Sequence, residues 1–376
     1  MTFSNRPSRA GSIMAQSLTR RSFVETCGGA AAAMLLAGTS SAASQEQTSP
    51  ALLNGRRVPF GAALERQPFL DDPQYAALFV RHCDHIFPMN DLKWDSLRYE
   101  RDVFNFEPSD LIVSFAENLG RTSHGHTFVW FMALPGWVEA LSSPAEAERV
   151  LIEHVQRTAS HYAGRVQTWD VVNEVVAFEP TESEIWRESV WFDLLGPRHI
   201  DIAFRAAQEA DPSALLGIND FDLEFKGERY DRRRQLTLDL VRRLQDQNLR
   251  VDYVGFQGHL YPEIPIDAAG TGQFIRDLER LGVRYMITEL DVVDWKLPIE
   301  PEPRDLMAAA HVDDFLDATF SAALPMSVST WGLSDRYSWI SSTMPHRQGG
   351  QNRPLPFDAD LRPKPMYHVI ERYLAA

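Results

Sequence analysis

Thr168-Trp169-Asp170-Val171-Val172-Asn173-Glu174-Val175 is a largely apolar run that closes on an amide and a carboxylate. A short run of this kind reads as a strand covered on both faces, as in a parallel sheet. Working outward, seven more runs punctuate the chain: Pro59–Leu64, His85–Asn90, His126–Phe131, Leu215–Asp220, Tyr253–Leu260, Tyr285–Val292 and Ser327–Leu333. Between them lie amphipathic stretches. Ala145–Tyr162 places Val150, Leu151, Val155 and Ala159 close to a 3.6-residue period, and Arg229–Gln247 puts Leu236, Leu240 and Leu244 on one face. Strand alternating with helix implies parallel strands and crossover helices. Eight such units predict an α/β fold closed as a single (β/α)8 TIM barrel.

Composition agrees. The chain has 376 residues, 44% of them hydrophobic, enough for one large core. A formal net charge of -15 argues against nucleic acid or anionic lipid as partner and reads as a soluble surface.

The N-terminus reads differently. Thr19-Arg20-Arg21-Ser22-Phe23-Val24 carries an arginine pair, followed by the weakly apolar run 30–37 and the small residues Ser41-Ala42-Ala43. This layout predicts a twin-arginine signal peptide over 1–43, a polar linker over 44–57 and a catalytic barrel over 58–376. The apolar run is shorter than the roughly 20 residues a span requires, so no membrane insertion is expected. Export to the periplasm or beyond follows. Of the two cysteines, Cys27 lies in the leader, so Cys83 is left without an intrachain partner.

In such a barrel the chemistry sits at the carboxyl ends of the strands. The fourth run ends in Asn173-Glu174 and the seventh in Thr288-Glu289-Leu290-Asp291. Strands four and seven face each other across the barrel mouth. Two carboxyl groups placed there match the needs of glycoside hydrolysis, in which one is protonated and the other ionised.

From about Val58 to the C-terminus the chain resembles glycoside hydrolase family 10, the endo-β-1,4-xylanase family. The matching stretches are Asn90–Trp94 (NDLKW), Gly125–Trp130 (GHTFVW), Trp169–Glu174 (WDVVNE), Ile218–Asp220 (IND), Gly255–Leu260 (GFQGHL), Thr288–Asp291 (TELD), Trp331-Gly332 and Ser338-Trp339, in family order. The resemblance implies a retaining hydrolase acting on β-1,4-xylosidic bonds, with Glu174 as acid/base and Glu289 as nucleophile. It implies that Asn173 binds the sugar 2-hydroxyl and that Lys93 and His126, with Asn90 nearby, bind hydroxyls at the cleavage site. His259 then contacts Glu289 and is held by Asp291. Gln257 lies two residues before His259, on the same side of the strand. Trp331 and Trp339 supply aromatic walls, and Trp130 and Gln257 count among the substrate-binding residues. No metal or cofactor is expected. The partner is a polysaccharide or oligosaccharide, and the protein is expected to act as a monomer.

Several positions depart from the family pattern. Met89 replaces the glutamate of ENxxKW. Phe131-Met132-Ala133 replaces the His and Gln of WHxQ. Phe221 replaces the tyrosine of NDYN. The lost polar groups predict a weaker grip on an ordinary xylose one unit beyond the cleavage site, and hence a decorated or different β-glycan as the alternative substrate. A catalytically dead carbohydrate binder is a further alternative, against which the intact Asn173, Glu174, Glu289 and His259 argue.

Two other signals point away from the chemistry. His82-Cys83-Asp84-His85 leads into the second strand and belongs at the bottom of the barrel. No first-strand His-x-His and no compact His/carboxylate set suited to zinc is evident. Gln348-Gly349-Gly350-Gln351 lacks the setting of a phosphate loop and reads as a mobile loop over the cleft.

Overall fold

The computed structural model describes residues 52–375. The leader expected over 1–43 and the first part of the linker lie outside the described residues. The eight barrel strands are β1 (Phe60–Leu64), β2 (His85–Pro88), β3 (His124–Val129), β4 (Thr168–Asn173), β5 (Leu215–Asp220), β6 (Tyr253–Phe256), β7 (Arg284–Val292) and β8 (Val328–Thr330). All pair in parallel, in the order β2-β1-β8-β7-β6-β5-β4-β3. The remaining seam is closed by a parallel bridge between His85 and Thr122, where Ile86 N donates to the Thr122 carbonyl at 3.0 Å. Ser123 Oγ adds a bond to the Ile86 carbonyl at 2.6 Å.

A helix of ten residues or more follows each strand: α1 (Pro73–His82), α2 (Glu107–Asn118), α3 (Pro144–His161), α4 (Arg198–Ala210), α5 (Glu228–Asp246), α6 (Ala268–Arg280), α7 (Pro301–Phe320) and α8 (Pro365–Ala375). The (β/α)8 expectation holds, and α3 and α5 begin one residue before their predicted starts. Ser143 explains the start of α3: its hydroxyl accepts from Glu146 N, and Pro144 occupies the first helical turn. Its inner face buries Ala147, Val150, Leu151, Val155 and Ala159. None of the described helices is long and apolar enough to cross a membrane.

Three local corrections follow. The third strand begins at His124, two residues before the predicted start, because His124 pairs with Thr168 in register. Arg56, assigned to the linker, is buried and bonded to the His82 carbonyl and to Asp84 Oδ2 at 2.6 and 2.8 Å, so it anchors the barrel floor. The sixth run does not continue unbroken to Leu260. It stops at Phe256, turns at Gly258 (φ 74) and resumes as His259–Leu260 beside Asp291–Val292 of β7. Glycine tolerates that positive φ without steric cost.

The His82–His85 cluster sits at the floor as expected, and its members part company. His82 Nδ1 meets Tyr367 OH, Asp84 takes Arg56, and His85 Nδ1 meets Thr122 Oγ1. Cys83 is buried.

Candidate active site

The carboxyl ends of the strands bring Asn173, Glu174, Gln257, His259, Glu289, Asp291 and Trp339 into one hydrogen-bonded network. Asn173 and Asn219 are partners in the β4–β5 register, so their side chains leave neighbouring strand ends together. Asn219 Nδ2 donates to Asn173 Oδ1 at 3.0 Å and to Glu289 Oε1 at 2.7 Å. Gln257 Nε2 donates to Asn173 Oδ1 at 3.1 Å and to Glu174 Oε1 at 3.0 Å. Asn173 Nδ2 also reaches Glu174 Oε1, at 3.2 Å. Three amides therefore link the two carboxylates, and neither is free to reorient.

The surroundings of the two carboxylates differ. Glu289 is buried, which works against its ionised form. The hydrogen bond from His259, with the charges of His126 and His259, outweighs burial and holds the carboxyl below its ordinary value. His259 Nε2 lies 3.2 Å from Glu289 Oε2, and its Nδ1 lies 2.8 Å from Asp291 Oδ1. Burial opposes a charge on this imidazole, but Asp291 and Glu289 raise it well above the ordinary histidine range. Both carboxylates thus favour the protonated imidazole of His259, although burial raises Asp291 itself. Trp339 Nε1 donates to the other oxygen of Asp291 at 2.8 Å, and its ring meets His259 edge-on at 5.2 Å.

The break at Gly258 changes one expectation. Gln257 and His259 do not extend from one continuous strand. Gln257 serves Glu174 and His259 serves Glu289, so the turn assigns one residue to each carboxylate.

On the other flank, Lys93 Nζ donates to Asn90 Oδ1 at 2.8 Å. It also lies 4.8 Å from the Trp130 ring and 5.4 Å from the Trp331 ring. Burial pulls this ammonium down against the attraction of Glu289. His126 packs edge-on against Trp331 at 5.1 Å, with Nδ1 3.9 Å from Glu289 Oε1.

Sequence reasoning missed part of this site. His124, His126 and Asp170 form a compact His/carboxylate set whose ligand-type atoms lie within 4.8 Å of one another. The expectation that no such set exists is corrected. The signal was the alternation of His124 and His126 on β3, which puts both on one face beside Asp170 of β4. Both imidazoles lie 2.8 Å from Asp170 Oδ2, and Tyr253 OH donates to Oδ1 at 2.9 Å. Although burial opposes ionisation of Asp170, the two histidines hold its carboxyl down. The set is a buried brace that fixes His126. Asn219 was also missed as a site residue, though the motif Ile218–Asp220 contained it.

The comparisons with known proteins accord with this geometry. The Glycosyl hydrolase family 10 profile matches residues 51–373. The chain belongs to glycosyl hydrolase family 10. It is 32% identical over 317 residues to endo-1,4-beta-xylanase B of Thermotoga neapolitana, covering 81% of this chain and 84% of the relative. It is 33% identical over 315 residues to an endo-1,4-beta-xylanase of Agaricus bisporus, covering 83% and 89%. Among solved structures, xylanase 10B of Thermotoga petrophila in complex with xylobiose superposes with a TM-score of 0.76 at 31% identity, covering 84% of this chain and 94% of that one.

The positions that depart from the family pattern have specific settings. Met89 is 3% exposed and packs with Ala63, Phe87 and Trp331, so it supports the Trp331 wall and presents little surface to a sugar. Phe131 and Phe221 flank Arg187, whose guanidinium carbon lies 4.7 and 5.5 Å from their ring centroids. Ala133 adopts φ 53, and its carbonyl accepts from Asp95 N at 2.9 Å. The segment 348–351 is tied down at Gln351, which donates to the Asp335 carbonyl at 3.3 Å.

Proposed function

We propose that this chain hydrolyses β-1,4-xylosidic bonds with retention of configuration, through a covalent glycosyl-enzyme. One observation carries the reading: two carboxylates at the ends of β4 and β7 share an amide network but have different surroundings. Glu289, held ionised, attacks the anomeric carbon as Glu174 donates its proton to the departing glycosidic oxygen. Glu174 then takes a proton from water, the water oxygen attacks the same carbon, and the ester to Glu289 breaks. The net consumption is one water per bond. Asn173 stands beside both carboxylates, where a sugar 2-hydroxyl meets it, and such contacts strengthen in the transition state. Lys93 and His126 bind the hydroxyls of the same sugar, and Trp331 and Trp339 wall it.

The family relatives named endo-1,4-beta-xylanase support xylan as the substrate class. Burial of Met89 removes one motive for an altered glycone, while Phe131, Ala133 and Phe221 still leave polar family positions apolar. Cleavage of linear and decorated xylan, xylo-oligosaccharides and other β-glycans, with products identified by mass and a Glu289→Ala blank, tests the reading. Xylo-oligosaccharides from linear xylan support it. Products only from another glycan move the substrate and keep the mechanism. No products from any of them, with folded protein, refute it.

We also infer export by the twin-arginine route and action as a monomer. The first rests on Arg20-Arg21 and the apolar run behind them. Replacing both arginines with lysine and fractionating the cells tests it, and sedimentation tests the second.

A further inference from the structure

The loop after β4 carries Arg187 back to the strand it left. Its backbone N donates to the Val175 carbonyl at 2.8 Å, and its Nε donates to the Glu174 carbonyl at 3.3 Å. Phe131 from the β3 loop and Phe221 from the end of β5 stand on the guanidinium at 4.7 and 5.5 Å. Cation–π attraction of this kind favours one seat for the cation. The arginine has no competing anchor. Arg229 is paired with Asp222 at 2.7 Å and Arg233 with Asp220 at 2.5 Å. Among the described residues no carboxylate lies within 4.0 Å of Arg187.

Glu174 needs such a support. It sits at φ 57, a left-handed conformation that a non-glycine residue holds only where its surroundings fix it. Its N is held by the Asn219 carbonyl at 2.9 Å, and its own carbonyl is held by Arg187. Rotation of this backbone swings the carboxyl off Gln257 and Asn173.

We propose that Arg187, seated between Phe131 and Phe221, is a positioning residue that fixes the backbone of Glu174 and aims its carboxyl at the leaving oxygen. This rests on Glu174 being the acid/base. It also gives Phe131 a purpose: an apolar ring where the family pattern has His forms one wall of the seat for the cation, while Phe221 is shared with Arg233, whose guanidinium carbon lies 4.2 Å from its ring centroid.

The test compares two substrates with the same glycone, xylotetraose and 2,4-dinitrophenyl β-xylobioside. The first has a poor leaving group that needs protonation; the second leaves without it. General acid catalysis supplies about 10²–10⁴-fold, so partial misplacement in Arg187→Met lowers kcat/KM for xylotetraose by about tenfold or more. For the aryl substrate kcat/KM reports only the first step and stays within about threefold. Phe131→Leu, which keeps the arginine and removes the nearer ring, shows the same asymmetry at smaller size. Equal losses on both substrates, or no loss on either, overturn the proposal. Glu174→Ala runs alongside. If it too fails to discriminate between leaving groups, the assignment of Glu174 falls; if it discriminates and Arg187→Met does not, only the role of Arg187 falls.

Discussion

Replacing His259 with leucine removes the donor that keeps Glu289 ionised. In the native site burial disfavours the carboxylate, and the hydrogen bond from His259 Nε2 at 3.2 Å, with the charges of His126 and His259, reverses the balance. Glu289 must be ionised to attack. Since its native value is depressed, activity persists as pH falls until Glu289 takes a proton, so the acidic limb lies below the ordinary carboxylate range. In His259→Leu the burial penalty remains and the largest compensation is gone. A hydrogen bond to a charged acceptor contributes about 1.5–3 kcal/mol, which displaces the acidic limb upward by about one to two pH units. The assay is kcat/KM for an activated aryl β-xylobioside from about pH 3 to 8, which reports the free enzyme and does not require protonation by Glu174. The variant is expected to be impaired at acid pH and to recover toward neutrality. Trp339 Nε1 still donates to Asp291 Oδ2, but Asp291 Oδ1 and Glu289 Oε2 lose their donor, so circular dichroism on the variant accompanies the assay. A limb that stays in place while activity falls by one factor at every pH refutes the assignment of His259 as the group that holds Glu289 ionised.

Gly255→Ala directs a methyl group to within 2.2 Å of Asn219 Oδ1. Asn219 bridges Asn173 and Glu289, so kcat/KM falls by about tenfold or more while the fold, followed by circular dichroism, survives. Met89→Glu restores the family residue at a position packed with Ala63, Phe87 and Trp331, where a carboxylate is largely desolvated; a lower melting temperature is expected, with no gain on linear xylan. Trp339→Phe keeps an aromatic wall but removes the donor to Asp291, so steady-state kinetics should show a loss in kcat larger than the rise in KM.

The fold was legible because its signal is repeated. Eight apolar runs alternate with amphipathic stretches, and local errors such as the late start given to β3 do not disturb the count. The carboxylate pair was legible because strand ends locate the chemistry of a barrel and Asn173-Glu174 and Thr288-Glu289 both stand there. What was not legible depends on side chains meeting across strands. The Asp170 brace follows from the register of β3 against β4, which fixes His126 opposite Asp170 and is invisible in either run alone. The division of labour between Gln257 and His259 depends on a turn at Gly258 that the apolar pattern hides. The burial of Met89 beneath Trp331 was likewise hidden, since a position in a motif says nothing of exposure.

The two-carboxylate mechanism stands or falls on a covalent intermediate. A 2-deoxy-2-fluoro-β-xylobioside with a dinitrophenyl leaving group forms such an intermediate and then stalls, because fluorine at C2 disfavours the oxocarbenium-like transition state of the second step. Intact mass followed by peptide mapping reads the product. One added fluoroxylobiosyl group per chain, on the peptide that contains Glu289 and absent from Glu289→Ala, is the expected result. No adduct on an enzyme that still cleaves its substrate, or an adduct on any other residue, contradicts it.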